Sequence, residues 1–423
     1  MFSWFHCLML SLAGAGAGAA VNWGIYNLAW NRRFISPWGS LPTNLSRRSV
    51  FSRIPIVGWL LLRGESNLHG QRFWLRPCCI EIGCGFAFAL FYYCSCNLID
   101  QLLHEGFLLP ESLLWVQLIP HLILLVWLLT ATFIDIDERL IPDTITVTGT
   151  LIAITLAARF PHLRLVDLGN PSTEIVFLVP SAPSPPSSDL LSIQSLLLAW
   201  GLFGFWGLAV LPKLCTVRYG LIRGLQLMIA SVVRPARKSR KPGTPRKRKP
   251  FAISAILMAS VVLGWIGIYG VWSLGGEHWE SLHASIQGMT GGLCVVWGVR
   301  IVGRIAMGRE VMGFGDATLL AMIGAFLGWQ PALLTFFLAP FAGMIITALQ
   351  FLSTRRSDLA FGPYLSLSAV MVVLCWPTVW QDYARDRVFI FGSALPIVLL
   401  VGLAMMGGML FFWQQLKNRY VQQ

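Results

Sequence analysis

The sequence predicts an all-α, polytopic transmembrane helical bundle with about eleven membrane segments, and three observations carry this prediction. Apolar residues make up 56% of the chain and charged residues only 12%, a composition typical of a membrane protein. Apolar runs long enough to span a bilayer recur from one end of the chain to the other. The connections between these runs are alternately basic and acidic, which is the pattern of loops on two sides of a membrane.

The apolar runs differ in length. The eighth is short for a full crossing, so we expect it to be tilted or re-entrant. The predicted segments, in chain order, are 8–30, 78–98, 112–134, 143–160, 190–211, 251–274, 284–303, 317–329, 331–352, 361–380 and 389–413.

The distribution of Lys and Arg predicts the orientation. The first connection holds eight arginines between Arg32 and Arg76, and the connection after the fifth segment is basic from Lys213 to Lys249. The connection between the second and third segments instead carries acidic residues such as Glu105. Because Lys and Arg are enriched in cytoplasmic loops, the N-terminus is predicted outside and the C-terminus in the cytoplasm.

Three further features bear on partners and processing. Residues 161–189 are rich in Pro and Ser and predict an extended external loop. Residues 234–250 are strongly basic; contact with anionic lipid or RNA is one interpretation, but a solvated cytoplasmic loop is favoured, and no nucleic-acid partner is expected. The first ten residues carry no basic region, so the first helix is expected to be retained rather than cleaved as a signal peptide.

A carboxylate follows two glycines in Met312-Gly313-Phe314-Gly315-Asp316, at the start of the eighth segment. A charged group at a bilayer edge is costly unless it is neutralised, paired or hydrated, which makes it a functional candidate. Gly313 and Gly315 would let another backbone approach that carboxylate. The alternative interpretation is that Asp316 is only a helix N-cap, and these residues alone leave both open.

A second acidic cluster ends the third segment. Asp135 adjoins the apolar run most closely, and the charge pattern puts it at the same cytoplasmic end as Asp316. Two carboxyls sharing one site cannot both ionise cheaply, so one would keep a proton while the other acts as a base. Asp137, farther into the loop, suits a solvated charge, and Asp143 after Pro142 suits a helix N-cap; spacing alone does not decide among the three.

These residues resemble the type IV prepilin leader peptidases, which are intramembrane aspartic proteases of the Gly-x-Gly-Asp kind. In that family the first catalytic aspartate precedes a proline by seven residues, as Asp135 precedes Pro142, and the second closes the Gly-x-Gly-Asp motif, as Asp316 does. The resemblance covers roughly 10–160 and 284–412, and its strongest stretches are Gly18 to Leu28, Ile54 to Gly64, Arg76, Glu81, Met312 to Trp329 and Phe361-Gly362-Pro363-Tyr364.

The resemblance suggests a division of the chain in which one part has no counterpart in the family. That part is the insert 161–283, with its external loop, two helices and basic stretch. The predicted divisions are a first helix (1–30), a cytoplasmic loop resembling the family's methyltransferase-type domain (31–77), helices two to four with the first aspartate (78–160), the insert (161–283), helices seven to eleven with the Gly-x-Gly-Asp motif (284–413) and a cytoplasmic tail (414–423).

One departure from the family concerns zinc. Many members hold zinc with two CxxC pairs in the first cytoplasmic loop, and the aligned positions here are Leu41, Asn44, Ser66 and His69. Such a set cannot make a tetrahedral thiolate site, so no metal is expected. Methyl transfer from S-adenosylmethionine, which accompanies that zinc in the family, is thereby placed in question; proteolysis itself would need no cofactor.

The resemblance implies an endopeptidase of the bacterial inner membrane that removes the leader of type IV prepilin-like or type II secretion pseudopilin precursors. Its partners would be those precursors and the lipid bilayer. Two other interpretations stay open, a non-enzymatic membrane scaffold of the same fold and a transporter. His121, inside the third segment, could serve a transporter as a proton relay, but a hydrogen-bonded bundle histidine is the favoured interpretation.

Overall fold

A computed structural model gives the fold of most of the chain. The residues that it describes are 2–31, 35, 37, 50–104, 112–167, 176–177, 192–210, 250–354, 360–391 and 394–421.

The described chain is a bundle of α-helices, as predicted. Fourteen helices are numbered here in chain order: α1 Trp4–Leu28, α2 Val57–Leu61, α3 Ser66–His69, α4 Leu75–His104, α5 Leu113–Glu138, α6 Asp143–Arg159, α7 Ile193–Val210, α8 Pro250–Leu274, α9 Gly276–Met307, α10 Phe314–Leu327, α11 Trp329–Thr354, α12 Gly362–Leu374, α13 Arg385–Phe391 and α14 Leu395–Val421. Short helical turns at Val50–Arg53, Leu62–Glu65, Pro161–Leu163 and Pro377–Ala384 connect some of them.

Each of the eleven predicted segments overlaps at least one of these helices. Seven helices in the described residues are long and apolar enough to cross a membrane, or eight if the bent pair Gly362–Leu374 and Pro377–Val388 is one span. The chain is therefore an integral membrane protein by length and composition of its helices, while the number eleven stays a prediction.

The predicted external loop is described only at its start and at one short strand. Val166–Asp167 and Val176–Phe177 form a two-residue antiparallel hairpin, with Val166 opposite Phe177. Leu163 and Leu165 are buried, and the indole of Trp376 donates a hydrogen bond of 2.8 Å to the Val166 carbonyl. The beginning of this loop thus packs on the bundle instead of extending from it, and the Arg164 carbonyl also accepts a hydrogen bond of 2.9 Å from the Gln117 side chain.

Helix α10 lies at the centre of the bundle, and every residue from Asp316 to Leu327 is buried. A helix of 14 residues is only about 21 Å long, which explains why the eighth segment is too short to span a bilayer. It packs on α9 through glycines: a Cβ at Gly288 would clash with the Gly324 carbonyl oxygen, and a Cβ at Gly324 would clash with that of Gly288. The two backbones touch because neither glycine carries a side chain.

The connection before α4 is ordered around a buried carboxylate. Glu81, on α4, accepts hydrogen bonds from the Asn22 amide of α1 at 3.1 Å, from the Trp59 indole at 2.8 Å and from the Ile56 backbone N–H. Ile56 has a φ of 66°, which is rare for a β-branched residue, and its hydrogen bond to Glu81 stabilises that conformation. Side-chain hydrogen bonds therefore hold the described part of this connection against α1 and α4.

Candidate active site

Asp135 lies in the last turn of α5 and is only 5% exposed. Its carboxyl lies against the backbone of Gly362, at the start of α12. Oδ2 of this carboxyl is buried and has no hydrogen-bond partner in the part of the chain that the structure describes. A Cβ at Gly362 would lie 2.5 Å from this Oδ2, so only glycine fits against the carboxyl.

Asp316 lies in the first turn of α10 and is 8% exposed. Helix α10 begins at Phe314 after Gly313, whose N–H donates a 3.2 Å hydrogen bond to Asp316 Oδ2. The N-cap interpretation of Asp316 is therefore wrong: Gly313 is the N-cap, and Asp316 is the third helical residue. Its carboxyl sits at the positive end of the helix dipole, which favours negative charge there.

The two acids come from different helices, but the residues around them share one neighbour, Ile141. Ile141 lies between their supports: a Cβ at Gly315 would be 3.0 Å from Ile141 Cβ, and one at Gly362 would be 2.9 Å from Ile141 Cδ1. The segment before Pro142 thus packs against the Gly-x-Gly-Asp motif and against Gly362.

Pro142 contributes through the backbone. It precedes α6 in an extended conformation with φ −67° and ψ 132°, so it ends the connection from α5 and directs the chain into the next helix. Asp143, predicted as the N-cap of that helix, is its first helical residue, and Pro142 occupies the cap position.

Both aspartates are largely shielded from solvent. Among the described residues, no Lys, Arg or His forms an ion pair with either Asp135 or Asp316. Two buried carboxyls without a cation are most stable when one is protonated and the other ionised. Such a pair offers a proton donor and a proton acceptor in the same place.

Asp137 is an exposed residue, as predicted for a solvated charge, but it belongs to a helix instead of a loop. It belongs to the last turn of α5, and its two oxygens accept hydrogen bonds of 2.8 and 2.9 Å from Arg76 of α4. Its side chain is 18% exposed. Both oxygens of Asp137 are thus engaged by one arginine, which is the arrangement of a structural ion pair.

Ser66 and His69 are the two family zinc positions that the structure describes. Leu41 and Asn44 lie outside the described residues. Ser66 donates a hydrogen bond to the Arg63 carbonyl, and His69 Nε2 lies 3.7 Å from Glu65 Oε2. Throughout the described ranges, no three His, Cys, Asp or Glu side chains are arranged to hold a metal ion.

His121 lies in α5, far along the helix from Asp135. It is buried, and its Nε2 has no hydrogen-bond partner within the described chain, so the predicted hydrogen-bonded bundle histidine fails for that nitrogen. It lines a cavity of about 310 Å³ together with neutral polar residues, among them Gln101 and Gln117. Neither Asp135 nor Asp316 is among the described residues that line this cavity.

Sequence reasoning missed three contacts at the site. The motif Phe361-Gly362-Pro363-Tyr364 matches the family, but the sequence did not predict that Gly362 contacts Asp135. Sequence reasoning also missed Ile141 and the pairing of Arg76 with Asp137. The motif around Gly362 could have indicated the first contact. The contacts of Ile141 and the Arg76–Asp137 pair join residues that no local sequence pattern relates.

Comparison with known proteins agrees with the sequence resemblance. The model of the type IV leader peptidase family matches residues 252–348, a segment that contains Asp316 but not Asp135. Proteins named prepilin leader peptidase/N-methyltransferase are similar over parts of their length. The match to the protein from Pectobacterium carotovorum subsp. carotovorum is 33% identical and covers 25% of this chain and 38% of that protein. The match to the protein from Pseudomonas aeruginosa is also 33% identical and covers 25% of this chain and 37% of that protein. For Dickeya chrysanthemi it is 37% identical over 21% of this chain and 33% of that protein.

These matches span well under half the length of the curated relatives. No solved structure matches the chain. The family match and the named relatives confirm that this chain resembles the type IV prepilin leader peptidases.

Proposed function

We propose that this protein is a membrane-embedded aspartic endopeptidase that removes the N-terminal leader from type IV prepilin-like or type II secretion pseudopilin precursors. The observation that carries the proposal is that two buried acids, Asp135 and Asp316, lie in segments that both pack on Ile141 within an apolar bundle. The similarity to prepilin leader peptidases supports the same activity.

The geometry suits hydrolysis of a peptide bond by a shared-proton pair. The ionised carboxylate takes a proton from a water molecule as the water oxygen bonds to the scissile carbonyl carbon. The protonated carboxyl donates to the carbonyl oxygen, which stabilises the negative charge that develops there. When the carbon–nitrogen bond breaks, the leaving amine receives a proton from the pair. One hydroxyl of the tetrahedral intermediate returns its proton to the pair, so the two aspartates regain their shared-proton state.

The pair acts as a unit in this scheme. Because two interacting carboxyls titrate together, the roles of acid and base belong to the pair and not to one named residue. Burial of both side chains keeps bulk water out and strengthens the interaction of each acid with the reacting atoms.

The expected substrate follows from the family resemblance and the charge pattern. The resemblance implies cleavage between a glycine and a hydrophobic or aromatic residue, next to a substrate helix in the membrane. The alternation of basic and acidic connections supports a cytoplasmic site in a bacterial inner membrane, with the N-terminus in the periplasm. A leader that remains in the cytoplasm would then reach both aspartates.

Proteolysis by this pair requires no metal and no organic cofactor. S-adenosylmethionine would be needed only if the protein also methylates the new N-terminus, as the names of its relatives describe for those proteins. The residues at the family zinc positions do not fit zinc, so no step of the proposed activity involves a metal.

Co-expression with a prepilin-like precursor tests the proposal. We expect a shift of the precursor to lower mass and a new N-terminus immediately after the glycine, found by N-terminal sequencing. Asp316→Asn in the same strain is the matched control and should leave the precursor intact, because it removes proton exchange while keeping size. Cleavage that persists in the control, or no cleavage by the wild-type protein of a precursor that a known prepilin peptidase processes, would favour the scaffold or transporter interpretation.

A further inference from the structure

Arg76 makes a three-part contact with the end of α5. Its Nη1 donates to both oxygens of Asp137 at 2.8 and 2.9 Å, and its Nη2 lies 3.4 Å from the Phe133 carbonyl oxygen. The guanidinium carbon lies 5.3 Å from the centroid of the Phe133 ring. One side chain of α4 therefore contacts residues two before and two after Asp135.

A second contact joins the same helical turn to the segment that follows α1. The carboxylate of Glu138 accepts hydrogen bonds from the backbone N–H groups of Trp30 and Asn31, each at 2.7 Å. These residues directly follow α1. Arg139 then leaves the helix with φ 54°, and its N–H donates to the Asp135 carbonyl at 2.8 Å. The last turn of α5 is thus tied to both α4 and the end of α1.

The carboxyl of Asp135 needs such support. Helix termini fray, because their last backbone groups lack partners within the helix. The Asp135 carboxyl lies against Gly362, and its Oδ2 has no hydrogen-bond partner in the described chain. Its position opposite Asp316 therefore depends mainly on where the backbone of this last turn lies.

We infer that Arg76 is a positioning residue, which rests on the proposed function: it holds the last turn of α5 so that Asp135 faces Asp316. Arg76 does not reach the reacting atoms in this account, since its donors are engaged by Asp137 and Phe133. The same contact assigns Asp137 to positioning, as the anion that orients the arginine.

Arginine suits this task better than lysine. Its planar group can donate to a carboxylate and a backbone carbonyl at once and stack on an aromatic ring. A lysine could keep the ion pair with Asp137 but would lose the fixed geometry toward Phe133. An ordinary exposed ion pair contributes little to stability, so loss of Arg76 should affect alignment more than folding.

Kinetics of purified protein on a prepilin-like precursor test the inference. Arg76→Gln should lower kcat by about tenfold to a hundredfold and change KM by less than about twofold, since misplacement of a catalytic group affects the chemical step. Arg76→Lys should recover part of kcat. Arg159→Gln is the matched control: it removes an arginine stacked at the same 5.3 Å on Phe160, at the other end of α6, and kcat should not change.

Hydrogen exchange of the amides of residues 133–139, measured in lipid nanodiscs, gives a readout independent of activity. These amides should exchange faster in Arg76→Gln, while those of α10 stay as in the wild type. If the wild-type protein cleaves no precursor, the proposed function fails, yet the exchange experiment still decides the structural part. Wild-type kcat in Arg76→Gln, an effect confined to KM, or lower kcat with unchanged exchange would each overturn the inference.

Discussion

The supports of Asp135 and Asp316 differ in how far along the chain they come from. Asp316 is held within its own motif, by the N–H of Gly313 three residues earlier and by the start of its own helix. Asp135 depends on distant residues: Gly362 touches its carboxyl, and the turn around it is tied by Arg76 and by the backbone after α1. One acid is thus placed by local sequence and the other by tertiary packing.

This difference has a physical consequence. A residue in the first turn of a buried helix keeps its position as long as the helix forms, because its partners are a few bonds away. A residue in the last turn of a helix that ends in a connection can move with that turn. The Asp135 side of the pair should therefore be the more sensitive to substitutions elsewhere in the protein.

The largest expected effect is loss of either acid. Asp135→Asn and Asp316→Asn should each reduce leader removal below detection while the protein remains inserted and expressed. Asparagine keeps size and hydrogen bonding but cannot exchange a proton. A gel mobility shift of the precursor measures cleavage, and immunoblotting of the membrane fraction checks expression. Full activity in Asp135→Asn with loss in Asp137→Asn would move the assignment by two residues.

The next largest effect is expected at Gly362. Gly362→Ala would put a Cβ 2.5 Å from Asp135 Oδ2, so the carboxyl or the start of α12 must shift, and we expect about a hundredfold loss of kcat. Gly83→Ala is the matched control, because a Cβ there meets no atom within 4 Å. Equal activity of the two variants would contradict the close contact between Gly362 and Asp135.

Asp137→Asn should have an intermediate effect. The amide oxygen can still accept a hydrogen bond from Arg76, but the ion pair is lost, so we expect a decrease of kcat of roughly three- to tenfold. Restored activity in the charge-swapped variant Arg76→Asp/Asp137→Arg would show that the contact matters rather than a proton on Asp137. Complete loss in Asp137→Asn with no recovery in the swap would instead give Asp137 a chemical role.

The smallest effect of a substitution is expected at Asp143. It is the first helical residue of α6, where a negative charge interacts favourably with the helix dipole, and Asn keeps a polar side chain there. Cleavage by Asp143→Asn should stay within about twofold of the wild type in the same assay. A loss as great as that of Asp135→Asn would add Asp143 to the candidate pair.

Metal removal should have no effect. The aligned zinc positions Ser66 and His69 make contacts with Arg63 and Glu65. Elemental analysis of purified protein should find no stoichiometric zinc, and incubation with a chelator should leave cleavage unchanged. One zinc per chain, or inhibition by the chelator, would contradict this.

The same contrast explains what the sequence could predict. The membrane helices followed from apolar runs, because the length of such runs is set by the bilayer. The close backbone approach at Gly315 followed from glycine itself, and the structure brings Ile141 to that position. The pairing of Arg76 with Asp137 did not follow, since the two residues are 61 positions apart and no periodicity relates them.

The sequence also failed to predict two helix ends. Asp316 suited an N-cap because aspartate commonly occupies that position, but the helix starts two residues before it, after Gly313. Asp137 looked like a loop charge because Glu138 and Arg139 follow it, whereas α5 continues to Glu138. The first helix end is set by a local contact with Gly313, and the second lies in a turn that Arg76 contacts from another helix.

The central claim is that Asp135 and Asp316 work as one unit, and comparison of the double variant with the two single variants tests it most directly. Single-turnover cleavage of a prepilin-like precursor should be measured for Asp135→Asn, Asp316→Asn and the combined variant, each purified and shown to be folded. We predict the same residual rate in all three, because removal of either member of a cooperating pair already removes its function. Measurable cleavage by either single variant with a further loss in the double variant would contradict the claim.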